Sequence, residues 1–187
     1  MRIEGRTIVL RDIQRVDMES KVRWFNDPQV NKTLLLEDKL DLQRTLQWFD
    51  EHACDGSGSA AAQTRREFIV ESKQGERIGI TGLVHINPRH GTAECFCVIG
   101  EKAYWGKGLG TEVHTLLIDW GFKNLDLHKI WADIRAENAA IIKVIERLGF
   151  KVEGTLRQER IIGGKRVDVV RIGLLRDEFY QLHPELS

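Results

Sequence analysis

Tyr104 to Thr111 reads YWGKGLGT, with three glycines at alternate positions between the apolar run VIG and the helical pattern TEVHTLLIDWGF. A loop built this way has no Cβ to hold a ligand off, so it bares consecutive backbone N–H groups. The helix that follows adds the positive end of its dipole. The product is a cradle for an anion such as a phosphate or pyrophosphate, although a tight packing turn would also use glycine. Two common phosphate loops do not fit. A Walker A loop needs Ser or Thr after Gly-Lys as its magnesium ligand, whereas Lys107 is followed by Gly108. A dinucleotide loop puts its third glycine three residues after the second, whereas Gly106, Gly108 and Gly110 are spaced by two throughout. What remains is a loop that holds an anion without a metal.

Working outward, Val113, Leu116, Leu117 and Trp120 fall at helical spacing after the glycines. HKIWADI reads as a short strand. NAAIIKVIERLGF is a helix capped by Asn138, lined by Ile141, Val144, Ile145 and Leu148, and stopped at Gly149. KVEGTLRQERII, GGK and RVDVVRIGLL form a closing β-hairpin. Upstream of the glycines, REFIVES and RIGITGLVHI make a hairpin across KQGE, and INPRHG turns into the strand TAECFCVIG. RTIVLRDI is a strand; DMESKVRWFND and LDLQRTLQWFDEH are helices, with Leu42, Leu46 and Phe49 on one face of the second. DGSGSAAAQ, Asp55 to Gln63, reads as a loop. Helices mixed with antiparallel hairpins make an α+β, or mixed α/β, sandwich. The 187 residues read as a single domain, 1–187.

Twenty-eight basic and twenty-eight acidic residues cancel, so no basic field favours nucleic acid. No apolar run approaches the ~20 residues of a membrane span, and the charged start is unlike an export signal, which points to a cytoplasmic protein. Three cysteines do not make a disulfide framework. Cys95 and Cys97 share a strand face, but no third and fourth ligand stands at metal spacing, so no metal is expected.

VIGEKAYWGKGLGTE, followed about thirty residues later by ENAAIIKVIERLGF, resembles the acetyl-CoA-binding signature of the GNAT N-acetyltransferase superfamily. The loop of that superfamily runs Gln/Arg-x-x-Gly-x-Gly/Ala; Trp105 takes the first slot and Gly108 and Gly110 the glycine slots. The match covers about Arg66 to Tyr180. The opening RTIVLRDI and WFNDPQV resemble the branch acting on ribosomal-protein N-termini. REFIVES through AECFCVIG and VEGTLRQE through DEFY are similar to polyamine acetyltransferases. The resemblance implies a three-layer fold with a central, mostly antiparallel, partly splayed sheet flanked by helices.

It also implies transfer of an acetyl group from acetyl-CoA to a primary amine by direct attack. Trp105, Gly106, Lys107, Gly108, Leu109, Gly110 and Thr111 would hold the coenzyme A pyrophosphate. Backbone groups of Val98, Ile99 and Gly100, freed where the sheet splays, would meet the cofactor and the developing oxyanion. Asn138 would contact the cofactor arm, though its cap role is sufficient by itself, and Lys143 a phosphate. The amine must attack unprotonated, and Glu94 is the candidate base, directly or through water; a solvated strand glutamate is the alternative. The usual tyrosine and serine slots hold Ile145 and Ala140, which offer no proton, so Tyr104 becomes the candidate acid. The acceptor is open among a protein N-terminus, a polyamine, an amino acid and an amino sugar. No nucleic acid or membrane partner is expected, and the chain acts as monomer or homodimer. A non-catalytic CoA-binding regulatory module is the competing reading.

Other residues have plainer readings. His85 and His90 bracket the INPRH turn and read as surface or capping histidines near the acceptor groove. Trp24, Trp48 and Trp120 read as core, and Leu36 to Asp55, with six acids against two bases, as a solvated face that could attract a cationic amine.

Overall fold

Strands β1 (Arg2–Glu4), β2 (Ile8–Asp12), β3 (Arg66–Ser72), β4 (Arg77–Asn87), β5 (Thr92–Ile99), β6 (Lys129–Arg135), β7 (Lys151–Ile162) and β8 (Lys165–Leu175) form one sheet, ordered β1-β2-β3-β4-β5-β6-β8-β7. The structure, a computed structural model, describes residues 1–52 and 64–187, and of His52, Ala139, Ala140, Ile142 and Lys143 only the backbone. The expected loop Asp55–Gln63 lies outside the described residues.

Every neighbouring pair is antiparallel except β5 and β6. A parallel pair needs a long crossover, here the helix α4 (Leu109–Asn124) that follows the glycine loop. The parallel ladder is short. It joins Thr92 to Lys129, Ala93 to Ile130 and Glu94 to Trp131 and then stops, while β5 continues to Ile99 beside β4 and β6 to Arg135 beside β8. The sheet therefore opens into a wedge, the splay that the family resemblance implies.

Helices cover both faces. On one side α4, α5 (Ala139–Arg147) and α6 (Arg176–Leu182) pack over a core that includes Leu10, Phe68, Val70, Leu117, Phe122 and Phe179. On the other, α1 (Met18–Asn26) and α2 (Pro28–Asn31) cover a smaller cluster of Trp24, Val30, Ile69, Ile80 and Val98. Phe68 and Val70 thus face one layer and Ile69 the other, which is why REFIVES shows no polar alternation. The mixed α/β layering read from the sequence is what forms. Trp24 and Trp120 are buried as expected, whereas Trp48 on α3 (Leu42–His52) is half-buried under the cations of Lys21 and Arg65.

Trp24 explains Gly100. A Cβ at Gly100 would lie 2.0 Å from the Trp24 indole, and the Gly100 amide donates to the Ile78 carbonyl at 2.9 Å. Of the Gly100 backbone groups expected to meet a cofactor, the amide is spent on β4, and the missing side chain makes room for Trp24. The Trp24 indole N–H then donates to Glu101 at 2.8 Å, so α1 is anchored at the end of β5.

Gly100→Ala should destabilise the fold by about 1–3 kcal/mol through overpacking. Trp24→Phe in the same chain should recover part of that loss, giving a non-additive pair in urea melts. Additive melts would show that the two residues do not share the space.

Candidate active site

The glycine loop sits at the mouth of the wedge. After a 3₁₀ turn at Lys102–Tyr104, Gly106 and Gly108 adopt φ of 74° and 76°, left-handed values that a side chain resists. The Trp105 indole N–H donates to the Ile99 carbonyl at 2.7 Å and ties the loop to the end of β5. Leu109 is buried in the core, which fixes the first turn of the 16-residue α4. The Thr111 amide donates to the Gly108 carbonyl at 3.2 Å. Among the described residues, no backbone or side-chain acceptor takes the amides of Gly106, Lys107, Gly108, Leu109 or Gly110. A Cβ placed on Gly106, Gly108 or Gly110 would meet nothing within 4 Å. Unpaired amides, open ground above them and a helix dipole behind them fit a diphosphate. The Lys107 ammonium lies 4.9 Å from the Tyr104 ring centre, at the edge of the same loop.

Beside the loop, a cavity of about 530 Å³ opens between β5, β6, the start of α5 and the segment Thr33–Leu36. Among the described residues three carboxylates line it, and their partners differ. Glu67 is held by Lys21 at 3.0 Å and Arg65 at 3.4 Å. Asp133 receives two hydrogen bonds from Arg171, at 2.6 and 2.8 Å. Glu94 faces His85, whose Nδ1 lies 2.7 Å from Glu94 Oε2. Two acids are therefore hydrogen-bonded to permanent cations, whereas Glu94 is hydrogen-bonded to a group that can be neutral and meets the charge of Arg171 only at longer range. A second hollow, about 680 Å³, lies along Thr155–Glu159 on β7, where the Asp168 carboxylate is already spent on the Gln158 amide at 2.7 Å.

The cavity brings together Glu94, Val98 and Asn138 of the expected site. The Asn138 side chain also accepts from the Ile141 amide at 3.4 Å, a long cap bond. Ile99 is half-buried with its carbonyl taken by Trp105. The Lys143 side chain lies outside the described residues. Tyr104 is not brought to the cavity: its hydroxyl donates to Glu76 on the far side of the loop, and that bond raises its pKa above the ordinary tyrosine value. The expected acid role is corrected on that ground, because a phenol already committed to a carboxylate is harder to deprotonate.

His90 is an exposed turn residue whose amide donates to Asn87. Desolvation pushes the Cys97 thiol up to about 12 and the Cys95 thiol higher still, which suits inert packing. No metal-ligating group of three or more side chains occurs among the described residues. Sequence reasoning passed over His114, which is buried, lines the cavity, and has Nδ1 2.7 Å from the Gly110 carbonyl. Its spacing of four residues from Gly110 was the available signal.

The family described as the acetyltransferase (GNAT) domain matches residues 7–151. The chain belongs to the GNAT acetyltransferase family. Among GNAT relatives, the spermidine N(1)-acetyltransferase of Escherichia coli K12 is 31% identical over 177 residues, 95% of this chain and 90% of that protein. An uncharacterised N-acetyltransferase, p20 of Bacillus licheniformis, is 30% identical over 175 residues, 92% of this chain and 94% of its own length. The solved spermidine N-acetyltransferase of Vibrio cholerae, in complex with CoA and spermine, superposes with a TM-score of 0.83 at 26% identity, covering 92% of this chain and 98% of that one. The GNAT assignment accounts for the sheet, the wedge and the loop together, and it makes the reaction class acetyl-CoA-dependent N-acetylation of an amine. No helix among the described residues is long and apolar enough to cross a membrane.

Gly108→Glu should weaken CoA binding at least tenfold by calorimetry while leaving the far-UV spectrum intact, since it puts bulk and a negative charge over the amides. Unchanged affinity would remove the loop from the binding site. Burial also holds His114 below the ordinary histidine value of 6.5. The unfolded chain therefore binds that proton more readily, and stability present above pH about 6.5 drains as pH falls below it. His114→Asn, which can keep the contact to Gly110, should flatten this acid loss in thermal melts.

Proposed function

We propose that residues 1–187 act as one N-acetyltransferase domain that moves an acetyl group from acetyl-CoA to a primary amine of a small polyamine. The observation that carries the reading is Glu94: at the last rung of the parallel ladder, it is the carboxylate in the cavity with no arginine or lysine bound to it among the described residues. An incoming ammonium finds its counter-charge there, and deprotonation of the amine depends on this group. The amides of Gly106 to Gly110 would hold the diphosphate, and Asn138 the arm that reaches along the wedge. When bound, acetyl-CoA supplies an activated acyl group on a thiol leaving group.

Three features support a small polycation as acceptor. The cavity volume lies in the range of small-molecule sites. Glu37 and Asp38 are exposed directly after the Leu34–Leu36 segment that lines the cavity, where a second ammonium could rest. Spermidine acetyltransferases are among the relatives. Protein N-termini, amino acids and amino sugars are the competing acceptors.

A second reading has its own observation. Ile145 is buried in the core, and Tyr104 is bound to Glu76, so neither offers a proton to a departing thiolate. A CoA-binding regulatory module would be built this way. A thiolate with an ordinary thiol pKa of ~8.5 can leave with water as the proton source, which keeps the enzyme reading ahead.

Thiol release should be measured over spermidine, a monoamine of similar length, a peptide with a free N-terminus, an amino acid and an amino sugar. The expected result is turnover fastest with spermidine, and a kcat lowered at least ~100-fold in Glu94→Gln with CoA affinity unchanged. CoA binding without turnover on any acceptor would select the regulatory module. A raised KM for spermidine alone is expected when Glu37 and Asp38 are both replaced by their amides.

A further inference from the structure

We infer that His85 is the group that takes the proton from the amine, with Glu94 as the carboxylate that holds its tautomer; this rests on the acetyltransferase reading above. Strand β4 breaks its alternation near this residue. Strict alternation would send Leu83 and His85 to one face, the core side. Instead Leu83 and Ile86 are both in that core, and the ladder between β4 and β5 shifts register between Val84 and Asn87. The extra residue is His85, at a φ of 49°. That left-handed backbone is costly for a side chain and persists where the surroundings enforce it. A bulge of this kind re-aims a side chain, and here it turns His85 out of the core and onto Glu94.

The ring is then held from two strands. Nδ1 stands 2.7 Å from Glu94 Oε2 on β5, and the ring plane lies within 7° of the Trp131 indole on β6, centroids 6.3 Å apart. Trp131 is itself the ladder partner of Glu94, so carboxylate, indole and imidazole form one cluster across three strands. Arg171 joins the cluster, its guanidinium 4.1 Å from the Trp131 ring centre while it binds Asp133 and meets the Glu94 charge at longer range. An ionised Glu94 accepts from Nδ1–H, which leaves the lone pair on Nε2. His85 lines the cavity with its side chain 71% exposed, so that lone pair has access to an incoming amine. An ordinary surface ion pair would gain little and would need no strained backbone to make it.

The chemistry favours the same order. A free carboxylate titrates near ~4 and a polyamine ammonium near ~10, a mismatch that an imidazole, near ~6.5, narrows. One ammonium proton passes to His85 Nε2, and the imidazolium is held by Glu94. The freed nitrogen pair forms the N–C bond to the acetyl carbon as the C–S bond breaks, with that electron pair leaving on sulfur. A second nitrogen proton is lost as the amide forms and neutralises the sulfur. His85 returns its proton to water, so the net products are an N-acetyl amine, a thiol and one released proton.

The test uses His85→Asn, whose Nδ2 takes the place of Nδ1 as donor to Glu94, tolerates the left-handed backbone and lacks Nε2. The expected result is a kcat with spermidine lowered 10²- to 10³-fold, with CoA affinity by calorimetry and thermal midpoint unchanged. Free imidazole should restore part of the rate in His85→Gly. A His85→Asn enzyme within threefold of wild type overturns the inference and leaves Glu94 as the direct base. Wild type that binds CoA and turns over no amine overturns the acetyltransferase reading instead, and this one with it. An independent readout needs no substrate. ¹⁵N-resolved NMR of the unliganded protein should show His85 as the Nδ1–H tautomer at pH 8 and lose that preference in Glu94→Ala; an Nε2–H tautomer in wild type overturns the inference.

Discussion

The parallel ladder between β5 and β6 ends after Glu94, and the rest of the site depends on that early end. Had the two strands stayed paired to Ile99 and Arg135, the sheet would be continuous and nothing could enter it. Because each strand keeps its other neighbour, β4 or β8, the backbone stays supported while the gap opens. His114 of α4 and the cap Asn138 of α5 line this gap, and the glycine loop is tied to the end of β5 through Trp105. The wedge thus leaves room for an extended ligand within one sheet.

Electrostatics then sorts the carboxylates in the cavity. Burying a charge is costly unless it is paired, and Glu67 and Asp133 meet that demand with Lys21, Arg65 and Arg171. The same rule holds at the far end of the sheet, where the fully buried Asp17 is gripped by Arg11 and Arg77. Glu94 departs from this pattern. Its partner is an imidazole set there by a bulged strand, a group that can be neutral or charged, unlike the guanidinium and ammonium partners of the other acids.

The loop and the long helices were legible because they obey local rules: alternate glycines, apolar residues at helical spacing, and Asn138 as a cap. The strand wedge was legible only through resemblance, since nothing local in AECFCVIG or KIWADI says where pairing ends. α2 left a signal in Asp27-Pro28, a cap followed by a first-turn proline, but four residues are too few for periodicity to show. The cavity pairs were illegible because Glu67 and Lys21 are 46 positions apart and Asp133 and Arg171 are 38 apart. The packing role of Gly100 was hidden for a related reason: its neighbour Trp24 comes from a distant helix. Tyr104 sits close in sequence to the loop yet turns toward Glu76, so adjacency along the chain did not translate into adjacency in the cavity.

The three loop glycines differ in what a side chain would cost the fold. Gly106 and Gly108 hold positive φ, so alanine at either would strain the backbone by roughly 1–2 kcal/mol. Gly110 has an ordinary backbone and open space around it, so alanine there leaves the fold unharmed. A lineage released from selection for its ligand would therefore be expected to let Gly110 drift first, while the pair before it persisted as a fossil of the older use.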